Sequence, residues 1–246
     1  MQRFGDVSRR AQAAFGPGEY VEQESFIRAS EIRKLAEQAA VGRGASVLDL
    51  CCGVGGPGRF LTRELGCLYL GVDASEDAVA LARERAGDLP CRFAVAHVPP
   101  LPPGTFDVVL LLETMLAFRD KEALLQEIAR ALPVGGRFAF TLEEGAPLTE
   151  SERAQVPAAD TVWLTPLDEM HALLARAGLA IRWEEDWSES HRKVAAALAD
   201  AYAADQALNE LVAAHQLWSE WLATGRARKV AVVAERANRS GNGGRP

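Results

Sequence analysis

The stretch Val47-Leu-Asp-Leu-Cys-Cys-Gly-Val-Gly-Gly-Pro-Gly58 constrains this chain more than any other. It sets a short apolar run, a glycine-rich turn and a helix start in series. The run Ser46–Leu50 is fit for a buried strand, and Gly56–Leu65 reads as a helix. Glycine accepts positive φ and lets the backbone come close to a ligand. The helix that follows offers free N–H groups and a positive dipole end.

The pattern then alternates. Cys67–Val72 reads as a strand and Glu76–Ala86 as a helix. Cys91–Ala96 and the strongly apolar Phe106–Leu112 read as strands. Lys121–Leu132 carries Leu124, Ile128 and Leu132 on one helical face, and Gly136–Leu142 is a fifth strand. Strands alternating with helices imply βαβ crossovers and a parallel sheet covered on both faces.

After a loop over residues 143–164, Thr165-Pro166 is expected to open a helix, Thr as N-cap and Pro at the first helical position. Leu167, Met170, Leu173 and Leu174 form its inner face, and Gly178 ends it. Leu179–Trp187 and Arg228–Glu235 complete the strands. Residues 190–224 contain no Gly or Pro, are rich in Ala and Leu, and read as helical. Apolar spacing from Ser25 to Val41 marks an earlier helix. The expected fold is α/β, a doubly wound, seven-stranded, mostly parallel sheet with a helical cap. We expect one domain over residues 1–237: residues 1–41 supply an N-terminal lid and helix, and residues 188–224 a helical insertion before the last strand. Residues 238–246 are polar and Gly-rich and read as a disordered tail.

The bulk numbers exclude some partners. The chain of 246 residues has a net charge of -7, which argues against nucleic acid, whose phosphates need clustered Lys and Arg. No apolar run is long enough to span a membrane, and the first residues lack the apolar core of a secretory signal. Cys51, Cys52, Cys67 and Cys91 do not fall in the paired spacing of a zinc site and read as reduced thiols of a cytoplasmic protein. No metal is expected.

Gly53, Gly55 and Gly58 spell GxGxxG, which by itself suggests a dinucleotide. Asp49, four residues before Gly53, turns the reading away: a carboxylate there suits an ammonium group and repels a pyrophosphate. The sheet also closes with a strand–helix–strand unit rather than a second mononucleotide-binding half.

The run VLDLCCGVGGPGRFL resembles motif I of the class I S-adenosylmethionine-dependent methyltransferases, D/E-x-G-x-G-x-G. Asp49, Gly53 and Gly55 match it, and Cys51 stands where the first Gly is usual. Gly71-Val-Asp73-Ala74-Ser75 is similar to the family's second-strand acid, which holds both ribose hydroxyls. Phe93-Ala-Val-Ala-His97-Val98 with Phe106-Asp-Val-Val is similar to the region that meets the adenine. His97 replaces the usual Asp there, and a neutral imidazole or the Val98 backbone would serve instead. Leu132-Pro-Val-Gly-Gly136-Arg-Phe looks like the family's turn into the fifth strand. The resemblance covers roughly residues 25–187. It implies methyl transfer from S-adenosylmethionine, leaving S-adenosylhomocysteine, to an oxygen, nitrogen or carbon of a small molecule in an enclosed pocket, as in bacterial metabolite and natural-product enzymes. A methyltransferase-like protein catalysing a cyclisation with the cofactor bound is the alternative, and an NAD-binding oxidoreductase a more distant one.

Methyl transfer from a sulfonium mostly needs alignment and exclusion of water, with a base where the nucleophile carries a proton. Glu113, after the buried fourth strand, sits where the resemblance places the reactive methyl group and is a candidate base and cofactor contact. Glu143 and Glu144 end the next strand; one is a candidate base, ammonium partner or magnesium ligand. His191 opens the insertion as a candidate acid or base and substrate contact. Thr114 and Trp163 are candidate acceptor contacts, and Tyr20 belongs to the lid over the cofactor. His215 and His171 read as structural. The expected cofactor set is Tyr20, Asp49, Cys51, Gly53, Gly55, Asp73, Ala74, His97, Val98 and Glu113.

Overall fold

The computed structural model describes residues 10–156 and 159–238. The expected tail, apart from Asn238, and the first residues of the expected lid lie outside them. Seven strands form one sheet: β1 (Ser46–Leu50), β2 (Leu68–Asp73), β3 (Cys91–Val95), β4 (Val108–Leu111), β5 (Arg137–Glu144), β6 (Leu179–Asp186) and β7 (Arg228–Arg236). Their order is β3-β2-β1-β4-β5-β7-β6. All neighbours run parallel except β7, which lies antiparallel between β5 and β6. The order reverses between β1 and β4, and the crevice at their carboxyl ends is where sheets of this kind bind ligands.

Strand periodicity explains the double layer. In β4, Val108 and Leu110 pack into one core cluster and Val109 and Leu111 into the other. Successive side chains point to opposite faces, so a strand buried on both sides must be apolar throughout. On one face lie α1 (Ala29–Gln38), α2 (Gly56–Leu65) and α3 (Glu76–Ala86). On the other lie α4 (Lys121–Ala131) and α5 (Leu167–Ala177). Ser75 Oγ accepts from Ala78 N and Asp120 Oδ1 from Ala123 N, capping α3 and α4. Gly178 ends α5 in the left-handed conformation, at φ 79°.

Four expectations need correction. The helix expected over residues 25–41 is shorter, Ala29–Gln38. Thr165 is not the N-cap of α5: Pro166 takes that position, and Thr165 forms a parallel bridge to Glu144. Strand β5 runs through Glu143 and Glu144, so these acids belong to the sheet and not to a loop. The insertion is two helices, α6 (Ser188–Tyr202) and α7 (Asn209–Thr224). Between them Asp205 accepts a hydrogen bond from Ala207 N, a local side-chain bond that competes with the helix without any Gly or Pro. Helices α6 and α7 pack side by side, and the segment at residues 10–15 lays Ala11 and Phe15 against Val194, Leu198 and Tyr202. No helix among the described residues is long and apolar enough to cross a membrane.

Candidate functional site

The glycine turn between β1 and α2 is built by conformations only glycine takes freely. Gly53 and Gly55 have φ of 53° and 72°. A Cβ on Gly55 would stand 2.5 Å from the Phe93 ring, so no other residue fits. Asp73, at the end of β2, holds this turn: Oδ2 accepts from Gly53 N and Oδ1 from Ser75 N, both at 2.9 Å. Each carboxylate oxygen keeps acceptor capacity beyond that bond. Ala74 follows exposed, and β3 ends opposite Asp73, which places His97, exposed, and Val98, half-buried, at the same sheet edge.

Asp49 is 2 % exposed and accepts a hydrogen bond from the Tyr69 hydroxyl. Burial pushes its pKa up to about 7, against that hydrogen bond and helped by the nearby Asp73 charge. Cys51 sits at φ 59°, a strained conformation for any residue but glycine, and burial raises its thiol to about 12.

The N-terminal segment crosses directly over this turn. A Cβ on Gly56 would collide with the backbone carbonyls of Val21 and Glu22. Glu22, itself at φ 62°, pairs with the buried Arg59 and lies 3.4 Å from Arg85. Buried Gln23 donates to Glu19 O and Ile27 O and accepts from Val21 N, fixing the segment's shape.

Across the switch point stands a buried chain of charges. Glu113, the second residue beyond β4, adopts φ 62° and donates its N–H to Thr141 Oγ1 at 2.6 Å. Its Oε1 lies 3.0 Å from Lys229 Nζ, an ion pair rather than an aligned hydrogen bond, and its Oε2 lies 3.5 Å from His191 Nδ1. Lys229 pairs register with Glu143 across β5 and β7, and its ammonium donates to Glu143 Oε1. His191 Nε2 is 3.4 Å from Glu31, which also accepts from Ser190 Oγ. Burial opposes the charges on Glu31, Glu113, His191 and Lys229, and their partners outweigh it. Lys229 and His191 hold the Glu113 carboxyl well below its ordinary value. Glu113 and Glu143 raise Lys229, and Glu113 and Glu31 raise His191.

A cavity of about 610 Å³ opens beside this chain. Its polar end is Glu113, Glu143 and Lys229, and one edge reaches Val54 of the glycine turn. Its walls include Phe15, Tyr20, Phe26, Tyr202, Trp218 and His215, drawn from the N-terminal segment, α6 and α7. Burial lowers His215 to about 4, so its imidazole is neutral at neutral pH.

The structure therefore divides the expected catalytic, acceptor and lid residues. Glu113, Glu143 and Tyr20 line the cavity. His191 is wholly buried, with Trp187 stacked 6.2 Å from its ring and Glu113 beside it, and does not line it. Thr114 donates to Leu112 O, and Glu144 lies 3.6 Å from Arg228. The Trp163 ring faces the Arg119 and Arg153 guanidiniums at 4.9 and 4.5 Å, outside the cavity wall. His171 meets Glu184 at 2.7 Å. Sequence reasoning missed Lys229 and Glu31. Lys229 left one trace, a charge opening the otherwise apolar run Val230–Ala234. Glu31 looked like an ordinary first-turn acid, and its carboxylate does accept from Arg28 N.

Residues 47–136 match a family described as methyltransferase domain. The chain is similar to Methyltransferase GfsG of Streptomyces halstedii, 31% identical over 69% of this chain and 65% of that protein. It is similar to 27-O-demethylrifamycin SV methyltransferase of Amycolatopsis mediterranei, 31% identical over 65% of this chain and 62% of that one. The matches thus span less than two thirds of either relative's length. Among solved structures, phosphoethanolamine N-methyltransferase 2 of Haemonchus contortus shares the fold with a TM-score of 0.78 at 21% identity, over 95% of this chain and 58% of that one. The [4+2]-cyclase SpnF does so with a TM-score of 0.70 at 21% identity, over 96% and 95% of the two chains.

Proposed function

We propose, from the premise that this chain belongs to the class I S-adenosylmethionine-dependent methyltransferases, that it transfers the methyl group of that cofactor to a small molecule held in the cavity beside Glu113, Glu143 and Lys229. One observation carries the reading. The glycine turn, the Asp73 carboxylate and the acid-ended cavity meet at one switch point of the sheet.

The residues present fit the cofactor. The Gly55 position has no room for a Cβ, so the turn is held as bare backbone. Asp73 is pinned by two amides with acceptor capacity left, which suits a ribose diol. Asp49, Cys51, Gly53, Gly55 and Ala74 belong to the same cradle, with His97 and Val98 at the adenine end and Tyr20 in the overlying segment. When bound, the cofactor supplies a methyl group already activated on sulfur. The chain's own task is then to align the acceptor, exclude water and hold a proton acceptor near the nucleophile. The strap over residues 19–27 and helices α6 and α7 wall off the cavity. Glu113 and Glu143 are the two carboxylates that line it, one of them the proton acceptor, and His191 sits behind Glu113 rather than on the acceptor. Residues 1–41 and 188–224 serve as lid and insertion of one catalytic domain.

Every cation on the cavity wall already has a carboxylate partner: Arg85 has Glu22, Arg228 has Asp186 and Glu144, and Lys229 has Glu113 and Glu143. This favours an acceptor without a phosphate. The test is calorimetric titration with S-adenosylmethionine, S-adenosylhomocysteine and NAD, followed by mass analysis of products formed from methyl-labelled cofactor. Binding of the two sulfur ligands alone and label in the product support the reading. Binding of the sulfur ligands with no transferred label would instead support the cyclase-type alternative, for which SpnF supplies only a likeness of fold. Response to NAD alone would sink both.

A further inference from the structure

Glu113 and Glu143 share the cavity and share Lys229, yet their surroundings differ. Both oxygens of Glu113 face cations: Oε1 is 3.0 Å from Lys229 Nζ and Oε2 is 3.5 Å from His191 Nδ1. Glu143 gives Oε1 to the same ammonium, and its Oε2 is buried without a hydrogen-bond partner among the described residues. A buried carboxylate oxygen left open is costly unless a ligand completes it. The backbone adds to the contrast. Glu113 sits in a left-handed conformation tied down through Thr141, whereas Glu143 extends straight from a strand whose register partner is Lys229 itself.

We infer that Glu143, and not Glu113, is the carboxylate that takes the acceptor's proton, and that Lys229 is the positioning residue that fixes its open oxygen toward this task. The inference rests on the function proposed above. As methyl moves from sulfur to the acceptor oxygen or nitrogen, the S–CH₃ bond breaks and the O–CH₃ or N–CH₃ bond forms. The acceptor's proton passes to Glu143 Oε2, and neutral S-adenosylhomocysteine and methylated product leave. The proton then returns to water from Glu143. Lys229 Nζ donates to Glu143 Oε1 and so leaves Oε2 as the open oxygen. Glu113 balances Lys229 and His191, and Glu31 completes the chain on the far side of the imidazole.

The probe is 2-naphthol, an apolar phenol that in its excited state gives up its proton only to a hydrogen-bonded base or to bulk water. Its emission is read on the protein saturated with S-adenosylhomocysteine, and again without it, so that failure to bind the cofactor is seen separately. The inference expects naphtholate emission from bound probe in the intact protein. Glu143→Gln loses it while naphthol still binds by equilibrium dialysis. Lys229→Met lowers the naphtholate emission several-fold while naphthol still binds, and Lys229→Arg restores it, a response that a merely structural lysine would not give. Should Lys229→Met fail to fold, the Arg and Gln variants alone decide. Emission that survives in Glu143→Gln but disappears in Glu113→Gln overturns the assignment. So does an intact protein that binds naphthol and emits only from the neutral form, or one that does not bind it.

Discussion

The two sides of the switch point are made from different material. On the β1–β2 side the proposed cofactor cradle is mostly backbone. Glycines at φ 53° and 72°, amides of Gly53 and Ser75 and one carboxylate do the work, within the 27 positions from Asp49 to Ser75. On the β4–β5–β7 side the proposed acceptor end is side chain. Glu31, Glu113, Glu143, His191 and Lys229 come from four elements and the loop after β4, spread over most of the chain. The first side is fixed by positive-φ backbone and by close packing at Gly55 and Gly56, where a Cβ would collide with Phe93 and with the carbonyls of Val21 and Glu22. The second holds together only while its charges balance, which makes it a place where single substitutions act far beyond their own contacts.

The comparison predicts that the acceptor side is the more fragile. Lys229→Met strands two buried carboxylates and is expected to lower stability by about 3–5 kcal/mol, as for other broken buried pairs. Urea unfolding measures it. A loss under about 1 kcal/mol would mean that the pair is solvated and worth no more than a surface bridge.

The cradle breaks in binding rather than in folding. Asp73→Ala is expected to weaken S-adenosylhomocysteine by roughly 1.5–3 kcal/mol, the range for hydrogen bonds to a charged group. Unchanged affinity by calorimetry would remove Asp73 from the site. Cys51→Gly is smaller and opposite in sign. Relief of the left-handed strain, less the entropy of a new glycine, should stabilise by no more than about 1 kcal/mol without weakening the cofactor. A clear destabilisation would show that the Cys51 side chain packs usefully despite its backbone.

The subtlest effect is a tilt with pH. His191 has a raised pKa in the fold, so its contribution is complete below its ordinary value of 6.5 and fades as pH rises through the folded value. The stability difference between the intact protein and His191→Asn should therefore shrink as pH rises above about 6.5. A difference that grows over that window would mean that the imidazole is buried neutral.

Much of the fold was legible because it follows from local periodicity. Alternating strand and helix patterns and Gly178 after α5 are read within a few residues. The break between α6 and α7 was not, because Asp205 ends a helix by a side-chain bond that a search for Gly and Pro does not see. Thr165 misled for the opposite reason: it has the right chemistry for a cap, but a strand bridge claims it first. The glycine turn and Asp73 were readable as a site because their spacing is itself the structure. Glu113 and Glu143 were readable as acids at strand ends, but not as unequal ones. Trp163 and Thr114 were expected at the acceptor, and neither lines the cavity: Trp163 meets two guanidiniums and Thr114 donates to Leu112 O.

The sequence by itself determined the sheet, its two covered faces and the glycine turn, since these depend on residues near each other in the chain and on backbone conformations that few residues permit. The charge chain was decided by tertiary structure alone. Antiparallel β7 brings Lys229 opposite Glu143, and α6 drops His191 between Glu31 and Glu113. Coulomb and hydrogen-bond energies depend on distance and burial in three dimensions, and no sequence spacing records either.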